Sequence, residues 1–363
     1  MPERILVTGH NGYIGSVMVP VFVQAGYEVV GYDTGYFREC TIIPDTCEVP
    51  TINKDIRDLS PKDLEGFHAV VHLAALSNDP IGNLRQNWTE EINHRSSVRL
   101  AELAKAARVG RFLFSSSCIM YGMSSTEVVN EESPLDPQTE YARSKVKSER
   151  AISALAGGGF SPTFLRNGTI YGLSPHMRFD TVFNDLMGCA VTTGKVIVYS
   201  DGKPWRPVIH VKDVARAFLT ILRAPTNTVH NQAFNVGSND LNYRVIQLAE
   251  IAQKAIPGCE LEVKAHKSAD QRTYKADFTK FKSAFPTFQF EWTPQKGADE
   301  LNAAFRSISL NHAVFVDKRF TRLKWLNYLL ETGRLDDSLR WTQPNPLHDA
   351  GQETSSAWAG IKR

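Results

Sequence analysis

Along its first third the chain alternates two hydrophobic rhythms. Short β-branched apolar runs at residues 4–8, 28–32, 69–73 and 111–115 read as strands, and longer stretches of helical period at 16–25 and 91–107 lie between them. Strands that are apolar on both faces leave no face for water, so helices must cover both sides of a parallel sheet joined by right-handed crossovers. The pattern therefore predicts a doubly wound α/β architecture.

A further helix is expected over 141–156, stopped by Gly157-Gly158-Gly159, with a strand restarting at 163–167. Past Gly172 the pattern becomes mixed and rich in Gly and Pro as far as Arg206; 207–211 then reads as strand and 214–222 as helix. Excursion and return predict a second lobe inserted on the sheet, with 1–172 and 207–240 forming the sheet domain and 173–206 and 241–341 a smaller mixed α/β domain. The last hundred residues read as polar helices apart from short pieces such as 261–263, and the polar stretch 342–363 is expected to be a poorly ordered tail.

A chain of 363 residues with 42% hydrophobic content can bury a full core. Its 41 basic and 39 acidic side chains nearly cancel, so no global field favours nucleic acid or an anionic membrane, and any bound anion must be held locally. The five cysteines, Cys40, Cys47, Cys118, Cys189 and Cys259, are odd in number and lack C-x-x-C or Cys/His ligand spacing, which argues against a disulfide framework and against a metal site. The first residues open directly into an apolar strand without a leader pattern, and no apolar run approaches the ~20 residues that cross a bilayer. A cytoplasmic protein without membrane or nucleic-acid partners is expected.

Local anion binding has an obvious candidate in Thr8-Gly9-His10-Asn11-Gly12-Tyr13-Ile14-Gly15, which joins the first strand to the first helix with the spacing G-x-x-G-x-x-G. The first glycine permits a tight turn, the second lets backbone approach a pyrophosphate, and the third allows close packing while the helix N-terminus faces the phosphates. Asp33 closes the second strand 18 residues after Gly15, where a carboxylate accepts hydrogen bonds from ribose hydroxyls and repels a 2′-phosphate. Strand, turn, helix, strand and acid in this order predict a Rossmann dinucleotide site that prefers NAD, with Arg38 keeping NADP open.

Tyr141-Ala142-Arg143-Ser144-Lys145 places a phenol and an ammonium four residues apart, on one face of the expected helix. A free tyrosine has a pKa near ~10, and an adjacent cation favours the phenolate, bringing it toward a value useful for proton transfer at neutral pH. Ser115-Ser116-Ser117 lies at the carboxyl end of the fourth strand, where open α/β sheets place their ligands, so a serine hydroxyl there can bond the reacting oxygen.

With Ser117-Cys118-Ile119-Met120-Tyr121-Gly122 in place of the motif S-x-x-x-Y-G, the sequence resembles the extended short-chain dehydrogenase/reductase family, and within it the NAD-dependent nucleotide-sugar epimerases and dehydratases, from about residue 4 to residue 300. The resemblance implies that Ser117, Tyr141 and Lys145 are catalytic and that the smaller domain binds a nucleotide sugar. It implies a cofactor site of Gly9, Asn11, Gly12, Tyr13, Ile14, Gly15, Asp33, Asp55 and Ile56 beside the adenine, Leu73, Ala74 and Ala75 beneath the cofactor, Asn93, Ser115, Tyr141, Lys145 and Asn167. For the substrate it implies Arg206 on the diphosphate, Asp270 and Arg272 on ribose and phosphate, Tyr199 stacked on the base, and Asn184-Asp185-Leu186 flanking it, with Ser117 at the sugar. Thr169 and Ser77 stand where the galactose epimerases carry an asparagine and a lysine. The family commonly pairs through two helices, here 91–107 and 141–156, so a homodimer is expected.

The family's 4,6-dehydratases carry an acid pair where this chain has Cys118 and Ile119, neither of which can do that work. Its 3,5-epimerases use a cysteine two residues after the serine, whereas Cys118 is one after, so Cys118 reads as packing. The expected reaction is inversion at C4 of an NDP-hexose through a transient 4-keto sugar. An NAD(P)H-dependent 4-keto-sugar reductase or a sugar dehydrogenase would use the same three residues. A non-catalytic dinucleotide sensor would be expected to have lost the tyrosine or the lysine. Residues 320–324 and the helix after them extend past the likeness and read as an amphipathic cap or a subunit contact.

Overall fold

Seven parallel strands form the centre of the computed structural model, which describes residues 2–44, 47–77, 85–264 and 273–343. They are β1 (Arg4–Thr8), β2 (Glu28–Asp33), β3 (Thr51–Asn53), β4 (Ala69–His72), β5 (Arg111–Ser117), β7 (Ser161–Asn167) and β11 (Gln232–Val236). Their order is β11-β7-β5-β4-β1-β2-β3. The chain builds outward from β1 through β2 and β3, then returns to the other side of β1 with β4, so the crevice beyond β1 and β4 is a topological switch point. The continuous apolar runs are buried on both faces: Ile5, Leu6, Val7, Val70 and Val71 are inaccessible to solvent.

Helices cover both faces. Met18, Val19 and Phe22 of the helix Gly15–Gln24 pack with Val214, Phe218 and Ile221 of the helix Val211–Arg223 on one side. Leu100, Ala101 and Ala104 of the helix Ser96–Ala106 and Ile152 of the helix Glu140–Ser153 cover the other. The remaining strands make small sheets: β8 (Thr169–Tyr171), β10 (Trp205–His210) and β12 (Asn242–Arg244) in the order β12-β10-β8, β9 (Lys195–Val198) with β13 (Glu260–Val263), and β6 (Met123–Val129) with β14 (Thr273–Ala276). Around them a third core gathers from the helices Val182–Thr193, Val245–Ala255 and Pro294–Ser307.

Several element ends differ from expectation. β5 continues to Ser117, because Ser115, Ser116 and Ser117 pair in register with Leu165, Arg166 and Asn167 of β7. The expected helix over 91–107 starts earlier and carries a π-helical stretch, Thr89–Arg95, ahead of Ser96–Ala106. The strand expected at 207–211 begins at Trp205, and Val211 already opens the next helix, whose first turn His210 caps through its side chain. β3 and β11 were not expected: β3 is three residues long, too short for a period to register.

The last hundred residues are less polar in effect than their composition. Leu301, Phe305, Trp325, Leu326 and Leu329 are all buried in the cores. The segment after residue 320 packs as a cap on the loop following β2: Trp325 Nε1 donates to Tyr36 O at 2.6 Å and Trp341 Nε1 to Thr34 O at 2.8 Å. Arg57 donates to Ser338 O at 2.6 Å and to Leu339 O at 3.0 Å. Of the expected tail 342–363, Thr342 is held in place, donating to Gly333 O at 2.7 Å, and the residues from 344 on lie outside the described residues. Among the described residues no helix is long and apolar enough to cross a membrane.

Candidate active site

A cavity of about 610 Å³ runs from the loop after β2, across the carboxyl ends of β1, β4 and β5, to the small sheets. At one end the glycine turn supplies backbone. Gly9 has φ +72°, and a Cβ there would stand 2.7 Å from Ala74 N; a Cβ on Gly15 would stand 2.4 Å from His10 O. The turn therefore closes only without side chains at these positions, leaving the helix N-terminus open to the cavity. Asp33 lines the cavity and also braces the turn, its Oδ2 accepting from Asn11 N at 3.1 Å and its Oδ1 from Gly35 N at 2.8 Å. Nearby, burial opposes ionisation of Asp55, but bonds from Arg57 Nε at 2.9 Å and from Arg57 N at 2.8 Å hold its carboxyl below the usual range.

The floor of this end is Leu73, Ala74 and Ala75. It is fixed from behind. His72, pushed down to about 3 by burial and by the Lys145 charge, is neutral; Nδ1 bonds Thr8 Oγ1 at 2.6 Å and Nε2 bonds Ser97 Oγ at 2.7 Å. Asn93, on the π-helical stretch, grips both sides of one residue, accepting from Leu76 N at 2.8 Å and donating to Leu76 O at 3.0 Å.

At the middle of the cavity β5 delivers Ser117 and the helix Glu140–Ser153 delivers Tyr141 and Lys145. Thr139 caps that helix by accepting from Ala142 N, so Tyr141 sits in the first turn, where the helix dipole favours an anionic phenolate. Lys145 is buried, donates to Ser115 O at 2.7 Å, and lies 4.6 Å from the Phe114 ring and 5.6 Å from that of Tyr141. Burial pulls its ammonium down to about 8, against the opposing pull of Glu149. Ser117 Oγ accepts from Ile119 N at 3.3 Å, which leaves its own hydrogen to donate. Cys118 is turned into the core, fully buried, donating to Arg166 O at 3.1 Å; burial pushes its thiol well up. Behind it Arg166 pairs with Glu149 at 2.7 Å and donates to the Tyr121 hydroxyl at 3.0 Å.

At the far end Thr169, Leu186, Tyr199 and Arg206 line the cavity, with Tyr199 61% exposed at its mouth, while Ser77 lines it next to Leu76, where Arg178 donates to its Oγ at 2.9 Å. Other expected residues stand off the lining. Asn184 is wholly buried, accepting from Gly172 N and donating to Arg178 O and to the Tyr13 hydroxyl, so it braces the wall and does not flank a base. Asn11, half-buried, is off the lining with its backbone N on Asp33, and Asn93 is buried behind the floor. Tyr13 reaches the cavity, but its hydroxyl is spent on Gly172 O at 2.7 Å. Asp270 and Arg272 lie outside the described residues. Asp185, expected beside the base with Leu186, lies on the lining, and sequence reasoning missed Arg178, Asp180 and Arg322, which lie there too. Burial opposes ionisation of Asp180, but Arg178, bonded at 2.8 Å, holds its carboxyl low; Asp185 is pushed up to about 6 by burial and by Asp180. No motif flags Arg178, Asp180 or Arg322, because only the excursion after β8 and the C-terminal cap bring them together.

These residues fit a dinucleotide: the glycine cradle excludes any Cβ, and Ser116 Oγ and Asn167 Oδ1, buried beside Ser117, have no partner and would be satisfied by a carboxamide such as that of nicotinamide. Fold and site together define an NAD-dependent enzyme of the extended short-chain dehydrogenase/reductase type. The sequence model of the NAD dependent epimerase/dehydratase family matches residues 5–237, and the chain belongs to that family. It is similar to the UDP-glucose 4-epimerase of Corynebacterium glutamicum, 27% identical over 80% of this chain and 91% of that protein. It is also similar to the human dTDP-D-glucose 4,6-dehydratase, 26% identical over 68% of this chain and 72% of that one. Among solved structures it is similar to MoeE5 in complex with UDP-glucuronic acid and NAD, with a TM-score of 0.72 and 26% identity over 84% of this chain and 99% of that one. The cofactor is NAD.

Proposed function

We propose that the protein inverts C4 of an NDP-hexose through a transient 4-keto sugar. The observation that carries this reading is the surroundings of Tyr141: Ser117 and Lys145 share its part of the cavity, while Cys118 faces the core and Ile119 the lining. The positions where related dehydratases hold an acid pair thus offer no proton donor. Tyr141 takes the proton of the C4 hydroxyl as phenolate, stabilised by the helix N-terminus and the Lys145 ammonium. Ser117 Oγ donates to the same oxygen and holds it as its C–O bond shortens. NAD, held on the turn of Gly9, Gly12 and Gly15, would supply the acceptor for the C4 hydride and, once reduced, its donor to the other face. Arg206 holds the substrate diphosphate, a task suited to a planar guanidinium, and Tyr199 stacks on the base.

The test is incubation of the pure protein with UDP-, dTDP-, GDP- and CDP-hexoses, without added cofactor, and identification of products by NMR. A C4 epimer under these conditions is the expected result. Turnover only on addition of NADH or NADPH would replace this reading with a ketoreductase, and loss of water from C6 would replace it with a dehydratase.

A further inference from the structure

The C-terminal cap brings a cation to the cavity that neither the family motifs nor the catalytic reading uses. Arg322 opens the helix Arg322–Glu331, is 4% exposed, and lines the cavity. Its Nη2 donates to His176 O at 3.0 Å, its guanidinium lies 4.3 Å from the centre of the Phe37 ring, and its Nη1 has no partner. The carboxylate of Asp180 is gripped through both oxygens by Arg178, at 2.8 and 3.1 Å, and accepts from the backbone N of Arg322 at 3.2 Å. Arg178 also donates to Ser77 Oγ at 2.9 Å.

Arg178 and Arg322 thus share this wall with Asp180 and Asp185, and among the described residues no carboxylate bonds the Arg322 guanidinium, whose Nη1 is left without a partner. Burial pulls Arg322 down to about 10, and the charge of Arg178 adds to the effect. A buried cation short of a counter-charge is costly, and the cost is removed when an anion enters. Topology says which anion. In the order β4-β1-β2, the glycine turn follows the middle strand. Arg322 is anchored over Phe37 in the loop after β2, and Arg178 is bonded to Ser77 in the segment after β4. The two guanidiniums therefore flank the phosphate-facing turn from its neighbours on either side. Arg206, assigned to the substrate diphosphate, comes instead from β10 of a small sheet.

We propose that Arg322, with Arg178 beside it, binds the diphosphate of the bound dinucleotide, so that the C-terminal helix is part of the cofactor site. This rests on NAD occupying the cavity and is independent of which sugar reacts. The test is calorimetric titration of the full-length chain and of Arg322→Met, each first stripped of retained NAD, with NAD, ADP-ribose, adenosine and UDP, with melting curves of the ligand-free proteins. Arg322→Met is expected to weaken NAD and ADP-ribose by roughly tenfold or more, to leave adenosine and UDP unchanged, and not to lower the ligand-free melting temperature. Unchanged NAD affinity, whether or not melting falls, overturns the proposal and makes Arg322 a structural bracket. Weakening of UDP with NAD intact also overturns it, assigning the cation to the substrate. Should Arg322→Met fail to fold, Arg322→Gln, which keeps a donor toward His176 without the charge, is read in the same way. Wild-type protein that binds no NAD would instead reject the cofactor reading itself.

Discussion

The two ends of the cavity are made of different material. The turn and floor of the cofactor end are backbone: a turn that closes only over glycine, and a strand end pinned from behind by His72 and Asn93. The other end, to which the proposed function assigns the substrate, is side chain: Leu186, Tyr199 and Arg206 line it from the excursion and from β10, and Tyr199 is mostly exposed. Backbone sites tolerate one geometry and one ligand class. Side-chain sites can be refitted to another sugar without disturbing the sheet, which is how one family accommodates epimerases, dehydratases and decarboxylases among the relatives of this chain.

If the two ends are independent and meet at Tyr141, substitutions should separate them. The largest effect is expected from Tyr141→Phe, which should lower kcat by about 10²–10⁴ while leaving NAD and UDP affinities intact; turnover assays with calorimetry check it, and a matching fall in NAD affinity would mean the phenol is structural. Lys145→Met removes the buried ammonium at the junction. Because the native value of about 8 lies below the ordinary 10.5, the wild type carries the full burial penalty below pH 8 and sheds it as pH rises toward 10.5. The variant should therefore be the more stable at pH 7, by at most about 3 kcal/mol, with the gap closing in urea melts at higher pH.

Gly15→Ala should cost about 1–3 kcal/mol in stability and weaken NAD while sparing UDP, since the new methyl meets His10 O at 2.4 Å and the turn must shift. Loss of both ligands together would show that the ends are coupled. The smallest effect is expected from Arg206→Ala: roughly tenfold weaker UDP binding with NAD unchanged, read by the same titrations.

How far the site was legible follows the same division. Gly9, Gly12, Gly15 and Asp33 announce themselves because each answers a backbone or ribose requirement at a set distance from a strand. Tyr141 and Lys145 do so because one helical turn relates them. Asn184 was assigned to the substrate end and proves to be a brace, since an asparagine in a helix carries no mark of which way it faces. Arg178 and Arg322 were missed for the opposite reason: their neighbours come from segments more than a hundred residues away, as with Arg178 and Ser77 or Arg322 and His176.

What the sequence determined by itself was the doubly wound sheet, the dinucleotide turn and the Ser117, Tyr141 and Lys145 group, because these depend on periodicity and short spacing. The extension of β5 to Ser117, the burial that lowers Lys145, the inward turn of Cys118, and the return of the C-terminal helix to lay Arg322 against the cavity were decided by tertiary structure alone. Register, desolvation and contact between distant segments are properties of the packed chain, and no local pattern encodes them.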